Sequence, residues 1–171
     1  NAGKTELTLD LHTADGRQAL RELILHADIV LEASRPRALR QMGLYAEELL
    51  RAKPGLTWVS ITGYGRGAPQ ENWIAYGDDA AIAAGLSAVI QQACGQWLVC
   101  GDAIADPLTG IHAAIAGWAG WLQGGGCLLD LSLAATVSHC LDATAPARND
   151  YQTRYRQWAD YLAQGAPPSP R

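Results

Sequence analysis

Strand-type and helix-type hydrophobic patterns alternate early in this chain, and that alternation constrains its fold more than any other feature. Residues 7–11 alternate leucine with polar residues, the period of two of a half-buried strand. Residues 13–27 carry apolar side chains at helical spacing, with Thr13 or Asp15 as the predicted N-cap. Residues 28–33 form a short apolar run typical of a buried strand. A strand, a helix and a strand within about 30 residues predict a βαβ unit with a right-handed crossover.

The pattern continues beyond this unit. Two short helical segments are predicted to end near Gly43 and Pro54, and residues 56–65 predict a third strand that runs into a glycine-rich turn. The first 65 residues therefore predict the α/β class, as part of an open, mostly parallel sheet with flanking helices.

The second half of the chain is richer in alanine and glycine. Residues 77–90 predict a helix, and 96–100 predict a short strand. A run of three glycines at 124–126 precedes a predicted strand, and a helix is expected from about Leu133. Residues 149–164 predict an amphipathic helix, and the proline-rich end at 165–171 predicts disorder.

Composition narrows the classes of function. The chain has 171 residues, enough for one domain, and its 49% hydrophobic content is typical of a globular protein. A net charge of −4 argues against a nucleic-acid partner. No uninterrupted apolar run reaches the ~18 residues of a membrane span. The four cysteines show no metal-site spacing, so we predict no metal and reduced thiols in a cytoplasmic protein.

Residues 104–122 place one carboxylate, Asp106, at the start of an otherwise apolar stretch. Pro107 follows it, so the pair predicts an N-cap and a first helical residue. Helical spacing predicts one buried apolar face, formed by Leu108, Ile111, Ile115, Trp118 and Leu122. Three glycines lower the helix propensity, which predicts close packing against another backbone or a ligand at Gly110, Gly117 and Gly120.

The local pattern leaves two interpretations of Asp106 open. It is a structural cap, the usual role of an aspartate before a helix, or it performs chemistry. The two are compatible, because a helix N-terminus stabilises the ionised carboxylate that a nucleophile needs.

Five segments in order carry a resemblance to a known family: "NAGKTELTLDLHTADGRQAL", "ADIVLEASRPRALRQMGL", "LTWVSITGYGRGAP", "IADPLTGIHAAIAG" and "GGGCLLDLSL". Together they resemble the family III CoA-transferases, the group that includes formyl-CoA and L-carnitine CoA-transferases. The resemblance covers residues 1–143, which we take as a partial family core, and leaves 144–171 as a C-terminal helix and tail.

The resemblance implies that Asp106 is the catalytic nucleophile. It would attack an acyl-CoA thioester to give a mixed anhydride, then carry CoA as an aspartyl thioester until an acceptor carboxylate takes it over. Coenzyme A is thus a substrate, and no permanently bound cofactor is implied. Asp102, the competing carboxylate, lacks the proline-led helix start and is expected to be a loop residue.

The resemblance also implies which residues contact CoA: Asn1, Lys4, Arg40, Gly63, Tyr64 and Gly65. Arg35, Arg37 and Arg40 form a basic cluster that can grip phosphate, although solvated surface arginines remain the alternative. Lys4 is otherwise an exposed lysine, and Tyr64 is otherwise a packed turn residue. His112 is expected to be a core or interface histidine rather than a catalyst.

Three positions depart from the family pattern. Gln41 stands where an arginine is usual, and the run ending at Cys127 replaces a Gly-x-Gly-Gln element. Related racemases carry a histidine before the aspartate that matches Asp78, whereas this chain has Gly77. Without that base, proton abstraction beside the thioester loses a partner, so transferase is favoured over racemase.

Family members are considerably longer than this chain, and their two chains interlock as a dimer. Because the chain begins without Met in a strand pattern, we expect a fragment or an incomplete gene product. The expected partners are acyl-CoA, a carboxylate acceptor, and a second copy or a complementing chain that completes the site. The alternative is a degenerate member that binds acyl-CoA or serves assembly without turnover. A free-standing nucleotide-binding domain is disfavoured, because no G-x-G-x-x-G or P-loop is present.

Overall fold

A computed structural model describes residues 2–144 and 150–164. The strands are β1 (Ile29–Glu32), β2 (Thr57–Thr62) and β3 (Cys127–Ser132). The helices are α1 (Ala14–His26), α2 (Pro36–Gln41), α3 (Ala46–Ala52), α4 (Gly77–Ala83), α5 (Leu86–Cys94), α6 (Ala105–Leu122), α7 (Leu133–Thr144) and α8 (Asp150–Ala163), with a 3-10 turn at Gln70–Asn72. Asn1 and the tail 165–171, for which disorder is predicted, lie outside the described residues.

The three strands form one parallel sheet in the order β1-β2-β3. Ile29 pairs with Thr57, and Thr57 pairs in turn with Cys127, so the strands run in register from their amino ends. The predicted α/β class and parallel sheet are confirmed.

The sheet lies between two helical layers. Trp58 and Leu56 are fully buried in a cluster with Leu49 of α3 and Ile24 of α1. On the opposite face, α6 packs so closely on the sheet that a Cβ at Gly117 would lie 3.1 Å from Val59 Cγ2. Coverage of both faces is typical of parallel sheets and explains why the central strand is the most buried.

The strand predicted at 7–11 is wrong. This segment has no strand pairing, and Leu7 is 65% exposed. A period of two predicts a strand only if a neighbouring strand supplies backbone partners, and none of the described residues does so here. The βαβ unit predicted for residues 7–33 is therefore absent, although α1 forms as predicted and Thr13 is its N-cap, with Oγ1 accepting from the Gly16 N–H at 3.0 Å.

Two further predictions are corrected in the second half. Residues 97–100 form no strand, and Trp97 and Val99 are exposed. The predicted helix at 77–90 is two helices, because the left-handed backbone of Gly85 (φ 93°) ends α4 and precedes α5. The helices predicted to end near Gly43 and Pro54 are confirmed as α2 and α3, and the strand and helix predicted after the glycine run are confirmed as β3 and α7.

The buried face of α6 is not the predicted apolar one. Its buried residues are Ala105, Thr109, Ala113 and Gly117, spaced four apart. Of the predicted face, Leu108 is half-buried and the others are exposed, with Ile115 at 66% and Trp118 at 59%. Small residues face the sheet because they let the helix axis approach it, and the large residues then point outward.

Of the three glycines of α6 predicted to pack closely, two do so, but against side chains of the sheet rather than against backbone. Gly117 packs on Val59, and a Cβ at Gly120 would lie 3.0 Å from the Thr57 side chain. A Cβ at Gly110 would meet nothing within 4 Å.

The predicted C-terminal amphipathic helix forms as α8, which packs against α5. Tyr155, Trp158 and Leu162 on its apolar face are exposed. None of the helices in residues 2–144 and 150–164 is long and apolar enough to span a bilayer.

Candidate active site

A cleft of about 420 Å³ opens at the carboxyl ends of the three strands. Ala33, Ser34 and Arg35 follow β1, Thr62 and Gly63 lie at the end of β2, and Leu133 follows β3. The cleft is closed by Asp106 of α6 and by Glu71, Trp73, Ile74, Ala75 and Tyr76. The carboxyl edge of a parallel sheet is where α/β proteins bind ligands, because the loops converge there.

Asp106 lies in the first turn of α6 but is not its N-cap. The helix begins at Ala105 after the N-cap Ile104, so Asp106 is the second helical residue and Pro107 the third. The predicted N-cap, Asp106, lies two residues after the observed one, because the backbone already has helical geometry at Ile104 (φ −54°, ψ −29°). Pro107 is tolerated there because the first four N–H groups of a helix have no intrahelical partner.

The Asp106 side chain is free to react. The residue is exposed and lines the cleft, and its side chain forms no hydrogen bond or ion pair with any described residue. Its backbone N–H donates to Ala103 O at 2.9 Å, which ties the residue to the preceding turn. The Asp106 carboxylate therefore lies in the first turn of α6 with access to the cleft.

Gly77, at the position where the resemblance implies a histidine in related racemases, has no space for a side chain. A Cβ at Gly77 would lie 2.5 Å from Ala103 O and 2.7 Å from Ala103 Cα. No larger side chain fits unless the backbone shifts, so this chain has no room for a base at that point.

The turn at Gly63, Tyr64 and Gly65 borders the cleft, and Gly63 lines it. A side chain at Gly63 would collide with Ala75 Cβ, and Gly65 has a left-handed backbone (φ 100°), so both need glycine. Gly65 N–H donates to Thr62 Oγ1 at 2.8 Å.

Tyr64 packs outside the lining of the cleft. Its ring meets Trp73 edge-on, with centroids 5.6 Å apart, and its hydroxyl donates to Asp79 at 3.4 Å. Partial burial and the negative charge of Asp79 raise the pKa of Tyr64, so it stays a neutral donor. Tyr64 thus supports Trp73, which does line the cleft.

A buried ionic network, missed by sequence reasoning, anchors the same loop. Arg66 Nη1 donates to Ser60 Oγ at 2.9 Å and pairs with Glu32 at 3.5 Å, while Trp58 Nε1 donates to Glu32 at 3.0 Å. Arg66 Nη2 also pairs with Glu47 at 3.2 Å. Only the tertiary fold brings these residues together. The one local sign of the network in the sequence is the position of Arg66 directly after the glycine turn.

The three arginines of the predicted basic cluster have different surroundings. Arg40 pairs with Glu71 at 2.8 Å and so reaches the cleft only through that lining residue. Arg35 lines the cleft, is exposed and has no partner among the described residues, whereas Arg37 is exposed outside the lining. Lys4 is exposed and is not among the lining residues. The position of Arg35 directly after a strand is the signal that singles it out.

The remaining candidates lie away from the cleft. Asp102 is an exposed turn residue, as predicted. His112 is half-buried, its Nδ1 lies 2.8 Å from Leu108 O, and its ring meets His139 at 5.8 Å between centroids. No cluster of metal-ligating side chains occurs in the described part of the chain.

Comparison with known proteins identifies the family of the chain. The family description "CoA-transferase family III" matches residues 1–165. A succinate–glutarate CoA-transferase of Agrobacterium fabrum is 33% identical over 116 residues, covering 68% of this chain and 29% of that relative. A succinyl-CoA–D-citramalate CoA-transferase of Chloroflexus aurantiacus is 26% identical over 147 residues, covering 84% of this chain and 37% of that relative.

A solved structure shares the fold. A CAIB/BAIF family protein from Brucella suis superposes with a TM-score of 0.72 and 28% identity, over 98% of this chain and 42% of that chain. The chain thus spans less than half the length of these relatives. With the family match over nearly its full length, the chain belongs to CoA-transferase family III.

Proposed function

We propose that this chain carries the nucleophile of a CoA-transferase and that Asp106 is that nucleophile. The observation that carries the proposal is an unpartnered carboxylate in the first turn of α6, exposed in a cleft at the carboxyl edge of the sheet. Membership of CoA-transferase family III and the names of the relatives support the reaction class.

The first half-reaction loads CoA onto the enzyme. An Asp106 oxygen attacks the thioester carbonyl carbon, the C–S bond breaks, and CoA leaves as a thiolate from a mixed anhydride. The thiolate then attacks the Asp106 carbonyl carbon and expels the acyl group as a free carboxylate. The enzyme now holds CoA as a thioester on Asp106.

The second half-reaction transfers CoA to the acceptor. The acceptor carboxylate attacks the aspartyl thioester, releases the thiolate and forms a second anhydride. The thiolate attacks the acceptor carbonyl, which gives the new acyl-CoA and regenerates Asp106. Water would hydrolyse each intermediate, and the apolar side chains of Trp73, Ile74 and Leu133, which line the same cleft as Asp106, would help to exclude it.

Both substrates are anionic, and Arg35 supplies an unpaired positive charge to the cleft. The substrates named for the relatives, among them succinate, glutarate and D-citramalate, favour an acceptor that carries more than one carboxylate. The contacts to CoA predicted for Asn1, Lys4, Arg40, Gly63, Tyr64 and Gly65 all stay predictions. Gly63 lines the cleft, and Tyr64 and Gly65 follow it in the adjoining turn.

We further propose that the CoA pocket is completed by residues from a second copy or from a complementing chain, in the cytoplasm. The chain covers 29–37% of the two CoA-transferase relatives, so elements that bind CoA in a full-length enzyme can lie outside it. The alternative, a module that binds acyl-CoA without turnover, is a distinct outcome of the experiment below.

The test is to trap the intermediate. The protein is incubated with succinyl-CoA and quenched with hydroxylamine, and its peptides are read by mass spectrometry. We expect a hydroxamate on Asp106, its loss in Asp106→Asn, and its retention in the matched control Asp102→Asn. A wild-type protein that binds CoA without an adduct supports the binding module, and one with neither binding nor adduct refutes the transferase. An adduct that persists in Asp106→Asn places the nucleophile elsewhere.

A further inference from the structure

One hydrogen bond joins the first turn of α4 to the turn that leads into α6. Asp78 Oδ1 accepts from the Ala103 N–H at 2.9 Å, across 25 residues of sequence. The neighbouring carboxylate, Asp79, is engaged differently, since it accepts from the Tyr76 N–H and from the Tyr64 hydroxyl. The two adjacent aspartates of α4 therefore hold separate segments.

Ala103 is held in a backbone conformation that it disfavours. Its φ is 50°, and it is the one residue other than glycine with a positive φ in the described parts of the chain. A left-handed residue with a Cβ persists only where its surroundings impose it. Here Asp78 fixes the Ala103 N–H, and Gly77 packs directly on the Ala103 backbone.

The same residue controls where Asp106 lies. Ala103 O accepts from the Asp106 N–H at 2.9 Å, so Asp78 and Asp106 are bonded to the two backbone groups of one residue, its N–H and its carbonyl oxygen. The next residue of the turn, Ile104, is the N-cap of α6. Ala105 is fully buried in a cluster with Ala80 and Ala81 of α4, which fixes the start of the helix from its other side.

We propose that Asp78 is a positioning residue for Asp106: it locks the left-handed turn at Ala103, and thereby sets the direction in which α6 presents the Asp106 carboxylate to the cleft. The inference rests on the proposed function, because it gives Asp78 a role in attack by Asp106. Asp78 itself touches no reacting atom and exchanges no proton with substrate.

The test compares Asp78→Ala, Asp78→Asn and the control Asp102→Ala in the full chain. Asparagine keeps an acceptor oxygen for the Ala103 N–H, whereas alanine removes it. Asp102 has the same charge in the same turn and no side-chain partner among the described residues. We measure the rate of Asp106 modification by succinyl-CoA at several concentrations, and the hydrogen exchange of the Ala103 and Asp106 amides by NMR.

We expect Asp78→Ala to slow Asp106 modification at saturating succinyl-CoA by at least about tenfold, with little change in the half-saturating concentration, because misplacement affects attack more than binding. Exchange at Ala103 should accelerate by a similar factor, while Asp78→Asn and Asp102→Ala stay within about threefold of wild type in both measurements.

The inference is overturned if Asp78→Ala reacts at the wild-type rate, if Asp78→Asn falls as far as a folded Asp78→Ala, or if only the half-saturating concentration changes. If Asp78→Ala does not fold, Asp78→Asn is compared with Asp102→Ala instead. A tenfold lower rate of Asp106 modification in Asp78→Asn alone would then refute the role of an acceptor oxygen. If wild type gives no adduct, the proposed function fails, and unchanged exchange at Ala103 in the Asp78 variants overturns the positioning role separately.

Discussion

The cleft contains two charged side chains that have no ion-pair partner among the described residues, Arg35 and Asp106. The third, Glu71, is neutralised by Arg40 at 2.8 Å. An unpaired cation and an unpaired anion facing one cavity are available to a ligand, whereas a paired one must first be released. At the scale of residues, we therefore expect Arg35 to be more available than Arg40 to an anionic substrate.

Replacement of Arg35 by alanine tests that assignment. We expect Arg35→Ala to weaken the apparent affinity for succinyl-CoA or its acceptor by about tenfold, the typical value of a charge-assisted hydrogen bond. Steady-state kinetics with each substrate varied in turn show which one loses affinity. Arg37→Ala, two residues further along the chain in α2 and outside the lining, is the matched control. Equal losses in both variants would indicate a general charge effect instead.

A second prediction for a single residue concerns Glu47 and the dependence of the stability of the fold on pH. Partial burial opposes its ionisation, but backbone hydrogen bonding and the Arg66 guanidinium outweigh that cost and hold the pKa of Glu47 below its ordinary value of 4.5. A lowered folded-state pKa stabilises the fold above the unfolded value, and this contribution is lost as the pH falls through the folded value. Glu47→Gln should therefore flatten the acid branch of the stability curve below about pH 4.5.

The measurement is the free energy of unfolding in urea between pH 7 and pH 3. The effect should be small, since the Glu47 side chain is 54% exposed and solvent screens the pair. Glu48→Gln is the control, because Glu48 lies on the same helix and is exposed. An unchanged acid branch in Glu47→Gln, or an equal change in Glu48→Gln, would contradict the assignment.

At the scale of elements, the contact between α4 and the turn before α6 depends on a missing side chain. A Cβ at Gly77 would lie 2.5 Å from the Ala103 carbonyl oxygen, and backbone on both sides cannot yield as a flexible side chain can. Because Gly77 has no side chain, α4 can contact the turn that leads into α6. We expect this contact both to stabilise the fold and to position Asp106.

Gly77→Ala should lower the free energy of unfolding by about 1–3 kcal/mol, the usual cost of overpacking. Gly110→Ala is the matched variant in α6, where a Cβ would meet nothing within 4 Å. It should raise the free energy of unfolding by about 0.5–1 kcal/mol through helix propensity. Chemical denaturation of both variants measures the difference, and a Gly77→Ala variant as stable as Gly110→Ala would show that the turn adapts.

At the scale of the whole molecule, the most prominent surface feature is the outer face of α6, formed by Ile111, Ile115, Trp118 and Leu122. All four side chains are exposed, although each is a large apolar residue. A contiguous apolar face of this kind is typical of an interaction surface rather than of solvent-facing structure. It fits the proposal that a second copy or a complementing chain completes the molecule.

We expect a second copy to cover this face, so that the chain sediments as a dimer or larger assembly. Ile115→Glu should dissociate it, because a carboxylate cannot be buried there without a partner. Analytical ultracentrifugation over a range of concentrations measures the state, and Asp102→Asn, away from the face, is the control. A wild-type monomer at every concentration, or an Ile115→Glu dimer, would contradict the expectation.

Sequence reasoning succeeded where local chemistry decides. Thr13, one of the two predicted caps, is the N-cap of α1, because a hydroxyl placed before a helical pattern finds its N–H partner locally. The strand at 56–65 and the short helices before it formed as predicted, because the apolar spacing and the flanking Gly43 and Pro54 constrain only nearby backbone. The candidate nucleophile was also identified from the sequence, although its exact position in the helix was not.

Tertiary structure decided what depends on distant neighbours. Leu7 and Leu9 have a strand pattern without a strand, because pairing needs a partner that the described residues do not supply. The face of α6 that packs on the sheet carries Gly117 and small side chains rather than Ile115, because the separation between helix and sheet, set by Val59, determines which side chains fit.

The candidate site also has some features that follow from local sequence and others that depend on distant contacts. The sequence by itself determined that a carboxylate begins a helix after an α/β half-sheet, since helix starts and strand periods are properties of neighbouring residues. Only the tertiary structure decided that Arg35 and Asp106 share one cleft and that Asp78 reaches Ala103. Such contacts join segments far apart in the chain, and parallel strands must be assembled before their carboxyl ends, and the loops that follow them, can meet.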